Sequence, residues 1–258
     1  MNLDLLPYRT ASTAENMAAD FLLMKCATGD HARFRHYGWR APAFTFGYSQ
    51  KITDVRAQLH VDGLFDICRR PTGGGIVDHR DDWTYALILP RGHALEEMRA
   101  TQSYRLVHEA LAAALAAQGV PAVLKPAVPQ VEPDDHIGFS AAGAAASGQT
   151  APPQSGLPAG VCFQRAETFD VCHAATGEKI AGAAQKRAKQ GMLFQGSIWK
   201  AAVGATIDWE RYGDDFASRL ATMLGAEAAP APWPEEIGDG ELAVLTEHYA
   251  SPEWNEAR

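Results

Sequence analysis

The chain has 258 residues, of which 47% are apolar, and this suits one large globular domain or one domain with a small appendage. Its formal net charge of −8 excludes wholesale binding to nucleic acid, which requires a basic surface. The first residues lack a charged region followed by an apolar run, and no stretch of about 18 apolar residues occurs. We therefore expect a cytoplasmic protein with neither a secretory signal nor a membrane span.

Cysteine and histidine spacing indicates neither disulfides nor a metal centre. The four cysteines, which form no CxxC pair, are Cys26, Cys68, Cys162 and Cys172. In a chain of this length they are typical of reduced cytosolic thiols. The nine histidines form no HxH or HExxH pattern, so the sequence predicts no metal site.

Helical periodicity predicts two helices in the first half of the chain. Ser12 is followed three positions later by Glu15, the signal of a capping box, and apolar residues then recur at helical spacing. This pattern predicts a helix over about 13–27. A second helical pattern runs from Glu96 to Gln118, and Gly119 is a natural stop for it.

Alternating apolar residues predict strands between and after these helices, near 44–48, 64–70, 83–89, 167–172, 179–184 and 192–199. Residues 126–160 are rich in proline, alanine, glycine and serine, which is typical of a flexible loop or a partly disordered insertion. Two further helical patterns follow, one starting at Asp214 and one from about Asp239 to Tyr249. Strands interleaved with helices predict an α/β or α+β sandwich.

A glycine triplet lies in the segment from Arg69 to His79, which reads Arg-Arg-Pro-Thr-Gly-Gly-Gly-Ile-Val-Asp-His. Consecutive glycines cost backbone entropy, and they are useful where the amides of a loop must approach a ligand closely. The arginines at its start suit a phosphate. By itself the triplet is better explained by a flexible hairpin turn, since it matches neither a Walker loop nor a GxGxxG fingerprint.

A second segment of interest begins at Lys179 and reads Lys-Ile-Ala-Gly-Ala-Ala-Gln-Lys-Arg. A strand lysine beside small residues can reach into a pocket and stabilise negative charge on a phosphate or a carbonyl. Alone, an exposed strand lysine is the simpler interpretation. Lys186, Arg187 and Lys189 form a basic patch that is either only solvated or suited to an acidic acceptor protein.

Together the two segments resemble the superfamily of lipoate-protein ligases, octanoyltransferases and biotin-protein ligases, and look most like its lipoyl branch. The family's loop reads roughly Arg-Arg-x-Thr-Gly-Gly-Gly-x-Val-x-His, and its lysine motif reads Lys-Ile-x-Gly-Ser-Ala-Gln-x-Arg. Ala183 replaces the usual serine, and Gln195 stands where a histidine precedes Gly-Ser-Ile. The early helix and the end of the chain are also similar, so the resemblance runs nearly end to end and is interrupted by the insertion at 126–160.

The resemblance implies an α+β fold with a mixed, largely antiparallel sheet flanked by helices. Residues 1–204 would form the catalytic domain, and residues 205–258 a short helical C-terminal extension. Lys179 would contact the reacting carbonyl. The acyl or nucleotide pocket would be formed by Arg69, Arg70, Thr72, Gly73, Gly74, Gly75, His79, Gly182 and Ala183.

The resemblance leaves two reactions open. Cys162 lies seventeen residues before Lys179, which is similar to the spacing in cysteine-dependent octanoyltransferases. It would carry octanoate as a thioester from acyl carrier protein, with no tightly bound cofactor; the alternative is a buried structural cysteine. Gly75 is instead common in ligases, which activate free lipoate with ATP and magnesium. We favour the transferase because no accessory domain follows the core after Lys200.

The partners implied by the resemblance are a lipoyl domain or a glycine-cleavage carrier protein as acceptor, and the enzyme is expected to be a monomer. A third hypothesis is a non-catalytic protein that binds an acyl group or a nucleotide on the same scaffold. The departures from the family pattern at Ala183 and Gln195 allow it.

Overall fold

The computed structural model describes residues 1–59, 61–127, 166–204 and 206–257. Cys162 and the predicted insertion, apart from residues 126 and 127, lie outside the described residues. The helices within the described ranges are α1 (Thr13–Lys25), α2 (Ile52–Gln58), α3 (Ala94–Glu97), α4 (Ala100–Ala117), α5 (Lys200–Val203), α6 (Trp209–Leu224), α7 (Asp239–Ala250) and α8 (Pro252–Asn255). The strands are β1 (Asn2–Leu5), β2 (Arg9–Ala11), β3 (His31–Trp39), β4 (Ala43–Phe46), β5 (Asp66–Arg69), β6 (Val77–Asp78), β7 (Asp82–Pro90), β8 (Ala122–Leu124), β9 (Val171–His173), β10 (Lys179–Ala188), β11 (Gly191–Trp199) and β12 (Glu227–Pro230).

Most of these strands form one large mixed sheet. Across the described chain it has nine strands in the order β12-β1-β3-β7-β11-β10-β9-β8, with β2 beside β3. Every pair from β3 to β8 is antiparallel, whereas β1 runs parallel to both β3 and β12. A smaller sheet has the order β5-β4-β6. The predicted α+β fold, with a largely antiparallel sheet flanked by helices, is confirmed.

Strand β7 is buried on both faces because helices cover each side of the large sheet. Tyr85 and Leu87 belong to the apolar cluster that includes α4 and α6. Ala86 and Ile88 belong to a cluster that includes the end of α1. Successive side chains of a strand point to opposite faces, so one continuous strand serves both layers of the core.

The predicted N-terminus of α1 is confirmed in its details. The side chain of Ser12 accepts a hydrogen bond from the Glu15 amide at 3.2 Å, and the Glu15 carboxylate accepts one from the Ser12 amide at 2.8 Å. Such a cap stabilises a helix by about 1 kcal/mol. The second predicted helix is divided, because Met98 has extended backbone angles that separate α3 from α4.

The last part of the chain contributes to the same sheet and core. Helix α6 begins at Trp209, earlier than predicted, because the side chain of Asp208 accepts a hydrogen bond from the Arg211 amide and caps it. Strand β12, which the sequence pattern did not reveal, extends the large sheet beside β1. Helix α7 packs against α1. In the described part of the chain, no helix has the length and apolar character needed to cross a bilayer.

Candidate active site

A cavity of about 540 Å³ lies where the two sheets, α1 and α4 meet. Most of the residues that the sequence motifs single out line it, namely Arg70, Gly74, Gly75, His79, Lys179, Gly182 and Ala183. Arg69, Thr72 and Gly73 are not part of the lining. The two motifs, which are far apart in sequence, therefore meet at one cavity.

Arg70 holds the glycine loop in shape. Its guanidinium donates to the carbonyl oxygens of Gly73 and Gly75, both at 2.8 Å, and to the hydroxyl oxygen of Thr45 at 2.8 Å. Between these two carbonyls, Gly74 has a φ of +91°, which favours glycine because it lacks a Cβ atom. Arg70 therefore contributes to the site by fixing the backbone of the loop.

Gly47, at the end of β4, allows the loop to pack closely. A Cβ atom at this position would lie 1.9 Å from the carbonyl oxygen of Gly74, which is far inside van der Waals contact. The neighbouring Tyr48 amide also donates to the carbonyl oxygen of Thr72 at 2.9 Å. The glycine loop is thus seated directly on the small sheet.

Arg69 is buried, with an exposed fraction of 1%, and it does not line the cavity. It donates to the carbonyl oxygens of Tyr48 and Gln50, and to those of Trp254 and Asn255 in and beside α8. Charged hydrogen bonds of this kind each contribute about 1.5–3 kcal/mol. Arg69 therefore joins the start of the loop to the end of the described chain.

Thr72 connects the loop to a buried ion pair through Gln195. The Thr72 hydroxyl donates to Gln195 Oε1 at 2.7 Å, and Gln195 Nε2 donates to Asp20 Oδ2 at 2.7 Å. Asp20 also accepts hydrogen bonds from Arg35 Nε at 2.6 Å and from the Tyr37 hydroxyl at 3.0 Å. Gln195 occupies the place of the family's histidine and links loop and core with one donor and one acceptor.

His79 lies in a line of hydrogen bonds at the cavity wall. Its Nδ1 donates to Asp82 Oδ2 at 2.7 Å, and its Nε2 lies 2.8 Å from the hydroxyl oxygen of Thr45. Burial acts to raise the pKa of Asp82, but the charge of His79 and hydrogen bonds from His79, Ser197 and Thr84 lower it below its ordinary value. Asp82 is therefore a carboxylate that fixes the orientation of the imidazole.

Lys179 enters the cavity beside a buried carboxylate. Its Nζ lies 2.7 Å from Asp170 Oδ2, with 10% of the lysine side chain and 1% of the aspartate side chain exposed. The other carboxylate oxygen, Oδ1, accepts a hydrogen bond from the Tyr104 hydroxyl at 2.5 Å. Asp170 follows a turn in which Phe169 has a φ of 67°, so only the end of the strand predicted at 167–172 is observed, as part of β9.

The surroundings of Tyr104 keep its hydroxyl protonated. Burial, and next the charge of Asp170, raise the pKa of Tyr104 well above its ordinary value. Its oxygen also accepts a hydrogen bond from the Ala183 amide at 3.0 Å. The ring of His108 lies 4.1 Å away, and burial lowers the pKa of His108 to about 4, so this imidazole is neutral near pH 7.

The cysteines in the described part of the chain are poorly placed for catalysis. Neither Cys26, Cys68 nor Cys172 lines the cavity. Burial raises the thiol pKa of each of them, which lowers the fraction of reactive thiolate. The described residues also contain no group of three His, Cys, Asp or Glu side chains that would hold a metal ion.

The sequence motifs did not single out several polar side chains that the fold brings to the site. Asp170 precedes Lys179 by nine positions and reaches it across the β9–β10 hairpin. Tyr104 comes from α4, 66 positions away from Asp170. Thr45 comes from β4 and meets both Arg70 and His79. The motif signal is local, whereas these contacts depend on the tertiary fold.

The fold is similar to that of solved lipoate-protein ligases. It matches a crystal structure of lipoate-protein ligase A bound with ATP, with a TM-score of 0.69, 16% identity and 99% of each chain covered. It also matches a bi-partite lipoate protein ligase from Thermoplasma acidophilum, which was studied with its E2 lipoyl domain. There the TM-score is 0.67 at 16% identity, covering 99% of this chain and 96% of that one. At such identities the likeness concerns the fold alone.

Sequence comparison gives the family. The Lipoyl protein ligase A/B catalytic domain matches residues 12–202, which is most of the chain, and the protein belongs to this family. The resemblance drawn from the glycine and lysine motifs is thereby confirmed.

Two curated relatives are both named octanoyltransferase LipM. Octanoyltransferase LipM from Bacillus cereus is 30% identical over 190 residues, which cover 72% of this chain and 61% of that protein. The chain thus spans less than two thirds of the length of this relative. Octanoyltransferase LipM from Symbiobacterium thermophilum is 26% identical over 283 residues, with 93% of both chains covered.

Proposed function

We propose that this protein transfers an octanoyl group from the thioester of an acyl carrier protein to a lysine of a lipoyl-domain acceptor. The observation that carries the proposal is the position of Lys179 in a cavity that the Gly74–Gly75 backbone also lines. An ammonium and backbone amides are suited to a carbonyl oxygen that gains negative charge during acyl transfer. The names of the LipM relatives support the same chemistry.

Cys162 is the proposed acyl carrier. The three described cysteines have raised thiol pKa values and lie off the cavity, so they are poor nucleophiles. Cys162 precedes Glu167, which lines the cavity, by only five positions. Five residues of extended chain span at most about 17 Å, so the sequence keeps the thiol of Cys162 within reach of the cavity.

The proposed reaction has two balanced steps. The Cys162 thiolate attacks the donor carbonyl, a thioester forms on Cys162, and the carrier leaves as a thiol after taking up a proton. The neutral amine of the acceptor lysine then attacks this thioester, an amide forms, and the thiol of Cys162 is regenerated. Lys179 stabilises the charge on the carbonyl oxygen in both steps. Each step exchanges one acyl bond for another, so neither needs a nucleotide.

The proposal is tested by mixing the protein with octanoyl-acyl carrier protein and an apo lipoyl domain, without ATP, and weighing the intact acceptor. A gain of one octanoyl group is expected. An acceptor domain with its target lysine changed to arginine is the control and should gain nothing. Transfer that begins only when free octanoate, ATP and magnesium are supplied would refute the carrier-dependent reaction.

An ATP-dependent ligase is the second candidate function. It is favoured by the third glycine of the loop, Gly75, which lines the cavity. In that case ATP and magnesium are co-substrates, free lipoate or octanoate is the acyl source, and an adenylate replaces the Cys162 thioester. The two reactions differ in their need for ATP and for Cys162, so the same assay separates them.

A further inference from the structure

We propose that Tyr104 is a positioning residue for Lys179, acting through Asp170, so that the ammonium group stays directed at the acyl carbonyl. This inference rests on the proposed acyl transfer and deepens it. Tyr104 lies on α4, outside both sequence motifs, and lines the cavity together with Lys179 and Asp170.

Asp170 is the point where three elements are joined. Its Oδ1 accepts from the Tyr104 hydroxyl at 2.5 Å. Its Oδ2 lies 2.7 Å from Lys179 Nζ and 2.6 Å from the amide nitrogen of Glu167. The carboxylate is therefore fixed by α4, by β10 and by the turn before β9.

The division of donors between the two oxygens decides how Asp170 holds Lys179. Because Tyr104 occupies Oδ1, the ammonium is bound through Oδ2. An ammonium has three N–H donors, and a contact with a single oxygen uses one of them. Without the tyrosine hydroxyl, Oδ1 would lose its donor and the carboxylate would turn both oxygens toward Lys179, drawing the ammonium away from the substrate.

Tyr104 is itself held rigidly, as this role requires. Its oxygen accepts from the Ala183 amide at 3.0 Å, and its ring lies 4.1 Å from that of His108. The Nδ1–H of His108 donates to the carbonyl oxygen of Phe169 at 2.7 Å. Tyr104 thus contacts the backbone of the strand that carries Lys179, and the neighbouring His108 binds the residue before Asp170.

The test compares Tyr104→Phe with Tyr212→Phe. Tyr212 is a buried core tyrosine whose hydroxyl has no hydrogen-bond partner among the described residues, so its loss controls for removing a buried hydroxyl. In the octanoyl-transfer assay, Tyr104→Phe should lower kcat roughly 10- to 100-fold with little change in KM. Tyr212→Phe should leave both constants at the wild-type values.

A second measurement does not depend on activity. The rate at which an acetylating reagent labels Lys179 is followed by peptide mass spectrometry, with exposed Lys51 as internal reference. In Tyr104→Phe a tighter ion pair should slow labelling about threefold, because an ammonium bound by both carboxylate oxygens gives up its proton less readily. In Asp170→Asn the lysine loses its counter-ion, and labelling should become faster.

The outcomes separate the two proposals. Slower labelling of Lys179 in Tyr104→Phe supports the positioning role, whether or not the wild-type protein transfers octanoate. Failure of the wild-type protein to transfer octanoate would refute only the proposed function. Labelling at or above the wild-type rate in Tyr104→Phe overturns the positioning role. A lower Tm without a change in labelling would mean that Tyr104 only stabilises the fold, and would overturn it as well.

Discussion

A Cβ atom on Gly182 would lie 2.8 Å from the Nζ atom of Lys179, so the lysine side chain fills the space that the glycine leaves empty. The same atom would lie 3.1 Å from Asp170 Oδ1. The glycine of the lysine motif is therefore explained by the path of the lysine side chain across it. This relationship gives a variant that should change activity more than stability.

Gly182→Ala should lower octanoyl transfer roughly 10- to 100-fold, because small displacements of catalytic groups are costly. Its Tm should change little, since the tip of a lysine side chain can move to relieve the clash. Activity is measured by the transfer assay, and Tm is measured by thermal unfolding. Gly240→Ala is the control: it lies in α7 with open space around it and should leave transfer unchanged. Full activity in Gly182→Ala would contradict the assigned position of Lys179.

Arg70→Lys should destabilise the protein by about 2–3 kcal/mol, because an ammonium cannot span the acceptors that the guanidinium fork binds. Those acceptors are Thr45 and the carbonyls of Gly73 and Gly75. Urea unfolding measures the change in the free energy of unfolding. Arg40→Lys, at a side chain that is 61% exposed and paired with Glu15, should change stability by less than about 0.5 kcal/mol. Equal effects of the two substitutions would refute the role of Arg70.

Arg35→Met should cost about 3–5 kcal/mol, because it leaves the buried carboxylate of Asp20 without its counter-ion. The pair is almost fully buried, with side-chain exposures of 2% and 0%. The matched substitution is Arg219→Met, which breaks a partly exposed pair with Asp215, with side-chain exposures of 38% and 33%, and should cost less than about 1 kcal/mol. Denaturant titration at pH 7 measures the free energy of unfolding of both variants and of the wild type. A loss below about 1 kcal/mol for Arg35→Met would contradict a buried ion pair between Arg35 and Asp20.

His108 should make stability fall as the pH is lowered from about 6.5 to 4. Burial lowers the pKa of His108 to about 4, whereas an unfolded histidine titrates near 6.5. In this window the unfolded state binds the extra proton, so stability rises with pH. The loss between pH 7 and pH 5 is about 2 kcal/mol. Urea titrations of His108→Gln should give a correspondingly flatter pH dependence, and an unchanged slope would contradict a buried neutral imidazole.

The parts of the site that are contiguous in the chain could be predicted from the sequence. The glycine loop and the segment from Lys179 to Ala183 carry their chemistry in runs of neighbouring residues, so local patterns reveal them. The loop pattern alone did not distinguish Arg69 from Arg70. Neighbouring residues point in opposite directions, and only the tertiary fold determines which arginine lines the cavity.

The helices and strands of the fold were predictable where the sequence has a strong apolar pattern of its own. Helices α1, α4 and α7 and strand β7 have strong apolar periodicity, and the sequence predicts them close to their observed places. The short strands β1 and β12 have little pattern of their own, because pairing with neighbours in the sheet forms them. The partnership of Tyr104 with Asp170 is invisible in the sequence for the same reason.

The most direct test of the account is whether octanoate becomes bound to Cys162. The protein is incubated with octanoyl-acyl carrier protein, without acceptor or ATP, and its intact mass is measured before and after treatment with hydroxylamine. We predict a gain of one octanoyl group that hydroxylamine removes, present in the wild type and in Cys172→Ala but absent in Cys162→Ala. A Cys162→Ala protein that still transfers octanoate to the acceptor would contradict the proposed mechanism.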